Sequence, residues 1–124
     1  MSYRTPYAKV EGLGAAHSGT EHFWRQRISA AALIPLAIWF AVNAFMLIGG
    51  TYEAAHAFLA TPVNAVLMAL FVIAIVIHMT LGLQVVIEDY VHTDGRKIFS
   101  LLLMRGFAWI VGAAMIFAIL KIAL

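Results

Sequence analysis

Three apolar runs, residues 28–48, 62–87 and 99–124, take up most of this 124-residue sequence. A helix needs about 20 apolar residues to cross a hydrocarbon core of ~30 Å. Lipid offers no partner to an unpaired backbone group, so a run of this length has to pair its own amides and carbonyls as a helix. The composition agrees, with 64% hydrophobic and 11% charged residues and a mean hydropathy of +0.94. The expected fold is an all-α membrane protein of three transmembrane helices. Residues 1–27 form a short N-terminal segment on the inner side that includes an interfacial helix start, and residues 28–124 form the three-helix anchor.

Length and composition also exclude functions. No stretch outside the runs exceeds about 30 residues, whereas even small domains need roughly 50, so a nucleotide- or flavin-binding domain has to reside on a partner chain. The absence of cysteine removes disulfides, covalent c-type haem attachment and thiolate-held iron–sulfur clusters. A sequence pI near 9.2 raises the question of nucleic acid. The basic residues sit beside the spans rather than along one soluble face, so the charge is read as topogenic and no nucleic-acid partner is expected. The first 27 residues lack a short apolar core and a cleavage-type ending, and are read as a retained segment rather than a signal peptide.

Charge placement orients the chain. The link 49–61 carries Glu53 and His56 but no Lys or Arg, while Arg4, Lys9, Arg25 and Arg27 precede the first span and Arg96 and Lys97 occupy the second link. The positive-inside rule then puts the N-terminus and second link in the cytoplasm or matrix and the C-terminus outside. Pro6, Gly12 and Gly14 suit an irregular tail, either lying on a partner or disordered. Ser18 and Glu21 have the spacing of a capping box, so the first helix is expected to begin before the membrane. Phe23, Trp24, Arg25 and Arg27 read as an interfacial collar. Pro35 removes one backbone donor inside the first span. Ala30, Ala37, Ala41 and Ala44 offer a small-residue face for a neighbouring helix, and Ala108 and Gly112 do the same in the third span. Arg105 is expected to snorkel inward, with a direct role in a site as the alternative.

His78 carries the strongest chemical signal, because an ionisable side chain at membrane depth is costly and by default marks a cofactor, ion or proton site. Helical geometry puts His78, Gly82, Val85 and Asp89 on one stripe. A neutral imidazole followed one turn later by a glycine suits a flat iron-bearing group such as haem. An interhelical hydrogen bond to a hydroxyl or carbonyl explains the same histidine without any cofactor. Since His17, His22, His56 and His92 all lie outside the spans, a second histidine ligand would come from another subunit. Asp89 and Tyr90 follow about 12 residues on, or roughly 18 Å along the helix, at the inner surface. Tyr90 suits a hydrogen bond to a quinone carbonyl and Asp89 a proton relay, while an aromatic belt and an ordinary helix end are the favoured account of the pair on these residues alone. Tyr90 lies about 120° around the helix from His78, so two adjoining sites are required rather than one.

Several of these elements together resemble the family of hydrophobic membrane anchor subunits of succinate dehydrogenase, the small partners of the cytochrome b556 subunit in respiratory complex II. They are the tail, the stretch from His22 to Arg27 followed by Ile28, Ser29 and Ala30, His78 with Gly82, and Asp89 with Tyr90 ahead of a third span. The resemblance implies that His78 is one axial ligand to the iron of a b-type haem, the other coming from the cytochrome b556 subunit. Arg27 would lie beside the haem propionates, with His22, which is one residue out of register with some members, as a lesser candidate there. Arg25 has no counterpart and is left as a headgroup anchor. Tyr90 would hydrogen-bond ubiquinone next to the iron–sulfur subunit, supported by Asp89, while succinate is oxidised on a flavoprotein subunit. The implied location is a bacterial inner membrane or mitochondrial inner membrane, within the tricarboxylic acid cycle and aerobic electron transport. The rival readings are a fumarate reductase-type anchor and a cofactor-free structural anchor. A proton-conducting module would need more ionisable groups at depth than His78.

Overall fold

The computed structural model describes Thr5, Tyr7 and residues 19–124, and among these it contains four helices and no strand. They are α1 (Gly19–Met46), α2 (Tyr52–Ala60), α3 (Pro62–Tyr90) and α4 (Asp94–Ala123). Helices α1, α3 and α4 are long and apolar enough to cross a membrane, as the three runs require. At 28, 29 and 30 residues each is about 42–45 Å long at 1.5 Å per residue. That exceeds the ~30 Å core, so their polar ends reach the headgroups.

The long helices extend past the apolar runs. Helix α1 starts nine residues ahead of position 28, in keeping with an entry outside the membrane. Ser18 of the expected capping box lies outside the described residues, as do His17, Arg4, Lys9, Pro6, Gly12 and Gly14 of the N-terminal segment. Glu21 in the first turn of α1 pairs with Arg25 at 2.9 Å. Helix α1 continues through Pro35 and ends at Met46; in the turn that follows, the Gly50 amide returns to the Leu47 carbonyl and Gly49 has a φ of +78°, in the left-handed region that glycine adopts without a Cβ penalty.

Helix α2 was not anticipated: the sequence reading treats 49–61 as a plain link, and the structure folds nine of its residues into a helix. Thr51 caps it by accepting a hydrogen bond from the Ala54 amide. Thr61 ends it, its amide returning to the Phe58 carbonyl, and Pro62 then opens α3 at a first-turn position that has no need of an amide proton. Packing fastens the short helix, since Phe58 stacks on Trp39 at 6.0 Å and its carbonyl accepts from Asn64 at 3.0 Å. The carboxyl of Glu53 is held below its ordinary value by hydrogen bonding to its own backbone amide and then to Thr51. Nine residues are too few to show a helical period in hydropathy, which is why the pattern reads as a link.

Helix α3 stands in the middle, touching α1, α2 and α4, whereas α1 and α4 do not meet. Its contact with α4 is close and apolar. Ala65, Val72 and Ile119 are buried there, flanked by Met68, Val76, Ile116 and Ala123. Ala108 is 1% exposed, and a Cβ added at Gly112 would sit 3.4 Å from Val76. The small-residue spacing in the third span is thus a packing seam. The one in the first span is not used within this chain: Ala37, Ala41 and Ala44 are exposed, and α1 instead meets α3 through buried Ser29, half-buried Leu33 and Leu36, and the Phe40–Phe71 stack at 4.9 Å. Among the described residues only Ser29, Ala65, Val72, Ala108 and Ile119 are buried. A bundle this thin leaves most of its large apolar side chains facing lipid or other chains.

Candidate functional site

On α1, His22, Gln26 and Ser29 recur at i, i+4 and i+7, which turns all three toward α3. They meet His78 there. A cleft of about 420 Å³ is lined by Gly19, His22, Phe23, Gln26, Arg27, Ala30, His78 and Val85. Pockets for small molecules and cofactors commonly measure about 300–1,000 Å³. The structure therefore brings His22, Arg27 and His78 to one cavity, together with Gln26, which the sequence reading did not single out. Arg27 is steadied by lying 5.2 Å from the centre of the Phe23 ring.

The polar groups of the cleft are unequally satisfied. The Ser29 hydroxyl donates to the Gln26 carbonyl at 3.0 Å, and its oxygen lies 3.0 Å from His78 Nδ1. A serine has a single proton to give. With that proton on the carbonyl, the consistent assignment makes His78 Nδ1–H the donor to Ser29 Oγ and leaves the Nε2 lone pair free. His22 Nε2 and Gln26 Oε1 are buried and have no hydrogen-bond partner. Buried polar atoms without partners are uncommon and costly, so their presence in one cleft marks a place built to receive a polar or charged group. A Cβ added at Gly82 would meet only Gln26 Nε2, at an ordinary 3.8 Å. Packing inside the chain does not demand a glycine there.

The interhelical bond considered for His78 is therefore present, with Ser29 as its hydroxyl. It does not compete with ligation, because it engages one ring nitrogen and frees the other. Among the described residues no three His, Cys, Asp or Glu side chains gather as a metal site. A metal-bearing group in this cleft would meet two imidazoles of this chain, that of His78 and that of His22.

Tyr90 lies elsewhere. A second cleft, of about 570 Å³, is formed where α3 turns into α4 and is lined by Tyr90, Val91, His92, Thr93, Gly95, Arg96, Phe99 and Ser100. Tyr90 is 80% exposed, so its hydroxyl is open to a ligand. His78 and Tyr90 thus line separate clefts at the same end of the bundle, as their angular separation on α3 requires. Asp89 is exposed in the last turn of α3 and lines neither cleft. Arg105 is tied into a polar chain across α3 and α4, donating to Gln84 Oε1 at 3.0 Å while Gln84 donates to Glu88 at 2.8 Å. That chain was not foreseen, because it depends on two residues 21 positions apart meeting across the helices.

Comparison with known proteins bears on this arrangement. Residues 1–120 match the family described as succinate dehydrogenase/fumarate reductase transmembrane subunit. The succinate dehydrogenase hydrophobic membrane anchor subunit of Paracoccus denitrificans is 38% identical over 127 aligned positions, covering 100% of this chain and 95% of that protein. The subunit of the same description from Rickettsia bellii is 29% identical over 113 positions, covering 85% and 90%. The succinate dehydrogenase membrane anchor subunit of Reclinomonas americana is 31% identical over 91 positions, covering 71% and 76%. No solved structure matches the chain.

Proposed function

This chain belongs to the succinate dehydrogenase/fumarate reductase transmembrane subunit family, and on that premise we propose that it anchors a succinate:ubiquinone oxidoreductase in the membrane, shares a b-type haem with the cytochrome b556 subunit and forms part of the ubiquinone-reduction site. Succinate is oxidised on the flavoprotein subunit, and electrons reach the quinone through the iron–sulfur subunit. The end of the bundle that holds both clefts also carries Arg25, Arg27, Arg96 and Lys97. By the positive-inside rule this end faces the cytoplasm or matrix, and the C-terminus lies outside.

The observation that carries the reading is His78: it lines a cleft at membrane depth with Nδ1 engaged by Ser29 and Nε2 free. The surrounding donor set fits a flat, anionic, iron-bearing group. His78 would supply a ligating nitrogen, Arg27 and His22 would offer its carboxylates a cation and an unpartnered nitrogen, and Gly82 keeps α3 bare on that side. When bound, the haem supplies a one-electron redox centre. In the other cleft Tyr90 donates its hydroxyl proton in a hydrogen bond to a quinone carbonyl. That bond orients the ring and strengthens as negative charge builds on the oxygen. Asp89, exposed one residue earlier, passes protons from the inner side to the quinone.

A cofactor-free structural anchor is the second reading, and the Ser29–His78 bond is the observation in its favour. Spectra of the dithionite-reduced, purified complex separate the two. With all subunits retained, His78→Leu is expected to remove or strongly perturb the b-type haem signal; an unchanged signal rejects the ligand assignment. In the same preparation Tyr90→Phe is expected to keep the haem and slow quinone reduction about a hundredfold, the usual cost of one donor to developing charge. Normal turnover would remove the role given to the Tyr90 hydroxyl.

A further inference from the structure

Among the described residues Ser29 is the only polar one that is buried, at 7% exposed. Its hydroxyl joins two helices across 49 residues of sequence, and both of its bonds are 3.0 Å long. A hydroxyl that gives its proton to a carbonyl becomes a better acceptor, because successive hydrogen bonds polarise one another. The run from His78 Nδ1–H to Ser29 Oγ–H to the Gln26 carbonyl therefore pulls on the imidazole proton more strongly than an isolated hydroxyl would. It also fixes the ring, since rotation about the Cβ–Cγ bond would break a bond shielded from water.

We infer that Ser29 is a positioning residue for His78, holding the imidazole as the Nδ1–H tautomer so that Nε2 is the ligating nitrogen and donates more strongly to the metal. This rests on the reading of His78 as a haem ligand. Outer partners of this kind orient a ligand and raise its basicity, and their loss typically lowers metal affinity about 10–100-fold. A more basic ligand favours the ferric over the ferrous state, so removing the partner raises the midpoint potential. Gln26 takes part through its backbone carbonyl, which any side chain at that position would preserve, so Ser29 is the residue on which the arrangement depends.

The test is a redox titration of the haem in the purified complex carrying native Ser29, Ser29→Ala or Ser29→Thr, with His78→Leu alongside. Ser29→Ala is expected to shift the ferric/ferrous equilibrium about tenfold toward the ferrous form, roughly 59 mV for a one-electron couple, while Ser29→Thr, which keeps the hydroxyl, stays near the native value. An unchanged potential in Ser29→Ala overturns the inference, and equal shifts in both variants assign the effect to packing and overturn it too. Isotope-labelled histidine NMR of the unmutated complex, with the haem in its diamagnetic low-spin ferrous state, gives a second readout that requires no variant to assemble. A protonated His78 Nδ1 is expected, and a bare Nδ1 overturns the inference. A native spectrum in His78→Leu would instead defeat the ligand reading itself, so the two failures are distinguishable.

Discussion

The two sides of α3 are built differently. Toward α4 it presents Ala65, Val72 and Val76 to Ala108, Gly112 and Ile119, and the contact is dry and close. Toward α1 it presents Phe71 to Phe40 and His78 to Ser29, and beyond His78 the helices part around a cleft of about 420 Å³. In lipid the hydrophobic effect gives helices little reason to associate, so contact is held by van der Waals fit and by hydrogen bonds. The α4 side uses the first of these throughout. The α1 side uses one stack and one buried polar link, and its open remainder is where unpartnered polar atoms collect. One face of the central helix is thus committed to holding the chain together, and the other is available for chemistry.

That contrast gives variants that separate stability from ligand binding. Ala108→Leu puts a large side chain into the α3–α4 seam and is expected to cost about 1–3 kcal/mol, the usual range for overpacking a close contact. Unfolding of the purified complex in mixed micelles measures it, and an unaltered transition would mean the seam is looser than the 1% exposure of Ala108 indicates.

A pair of glycines sharpens the comparison. Gly112→Ala brings a Cβ to 3.4 Å from Val76, and is expected to change stability by no more than about 1 kcal/mol while leaving haem content untouched. Gly82→Ala meets only Gln26 Nε2 at 3.8 Å, so assembly is expected to persist while haem retention falls. If haem-to-protein ratios moved for Gly112→Ala and not for Gly82→Ala, the assignment of the two faces would be reversed.

The smallest expected effect lies at the far end of the bundle. Glu53 is more acidic in the folded chain than in the unfolded one. Its contribution to α2 is therefore present above the unfolded value and is lost as pH falls through the lower, folded one. Amide exchange of α2 is expected to quicken slightly in that acidic range, and Glu53→Gln to abolish the pH dependence. Because the group is fully exposed, the change should be confined to α2 and leave both faces of α3 as they are.

Much of the architecture was legible because hydropathy and helical phase are local properties. The runs show where three helices cross, and the isolated position of His78 in its run makes it conspicuous. Its 120° offset from Tyr90 separates the two clefts before any coordinates are known. What escaped depends on residues brought together from distant parts of the chain. Helix α2 is too short for a period, and its cap and aromatic anchor act only once Trp39 and Asn64 stand beside it. The alanine face of α1 looked like the place for a neighbour, yet within this chain the helix turns Ser29, Leu33 and Leu36 inward.

The sequence alone therefore determined that this is a three-span membrane protein with one imidazole at depth and an acidic–aromatic pair at the inner end of the same helix. Only the tertiary structure decided that His22, Gln26 and Arg27 share a cleft with that imidazole, and that Ser29 holds one of its nitrogens. Membrane insertion is set residue by residue through transfer from water to lipid. Which stripes of two helices meet is settled instead by the fit of side chains brought together from distant parts of the chain.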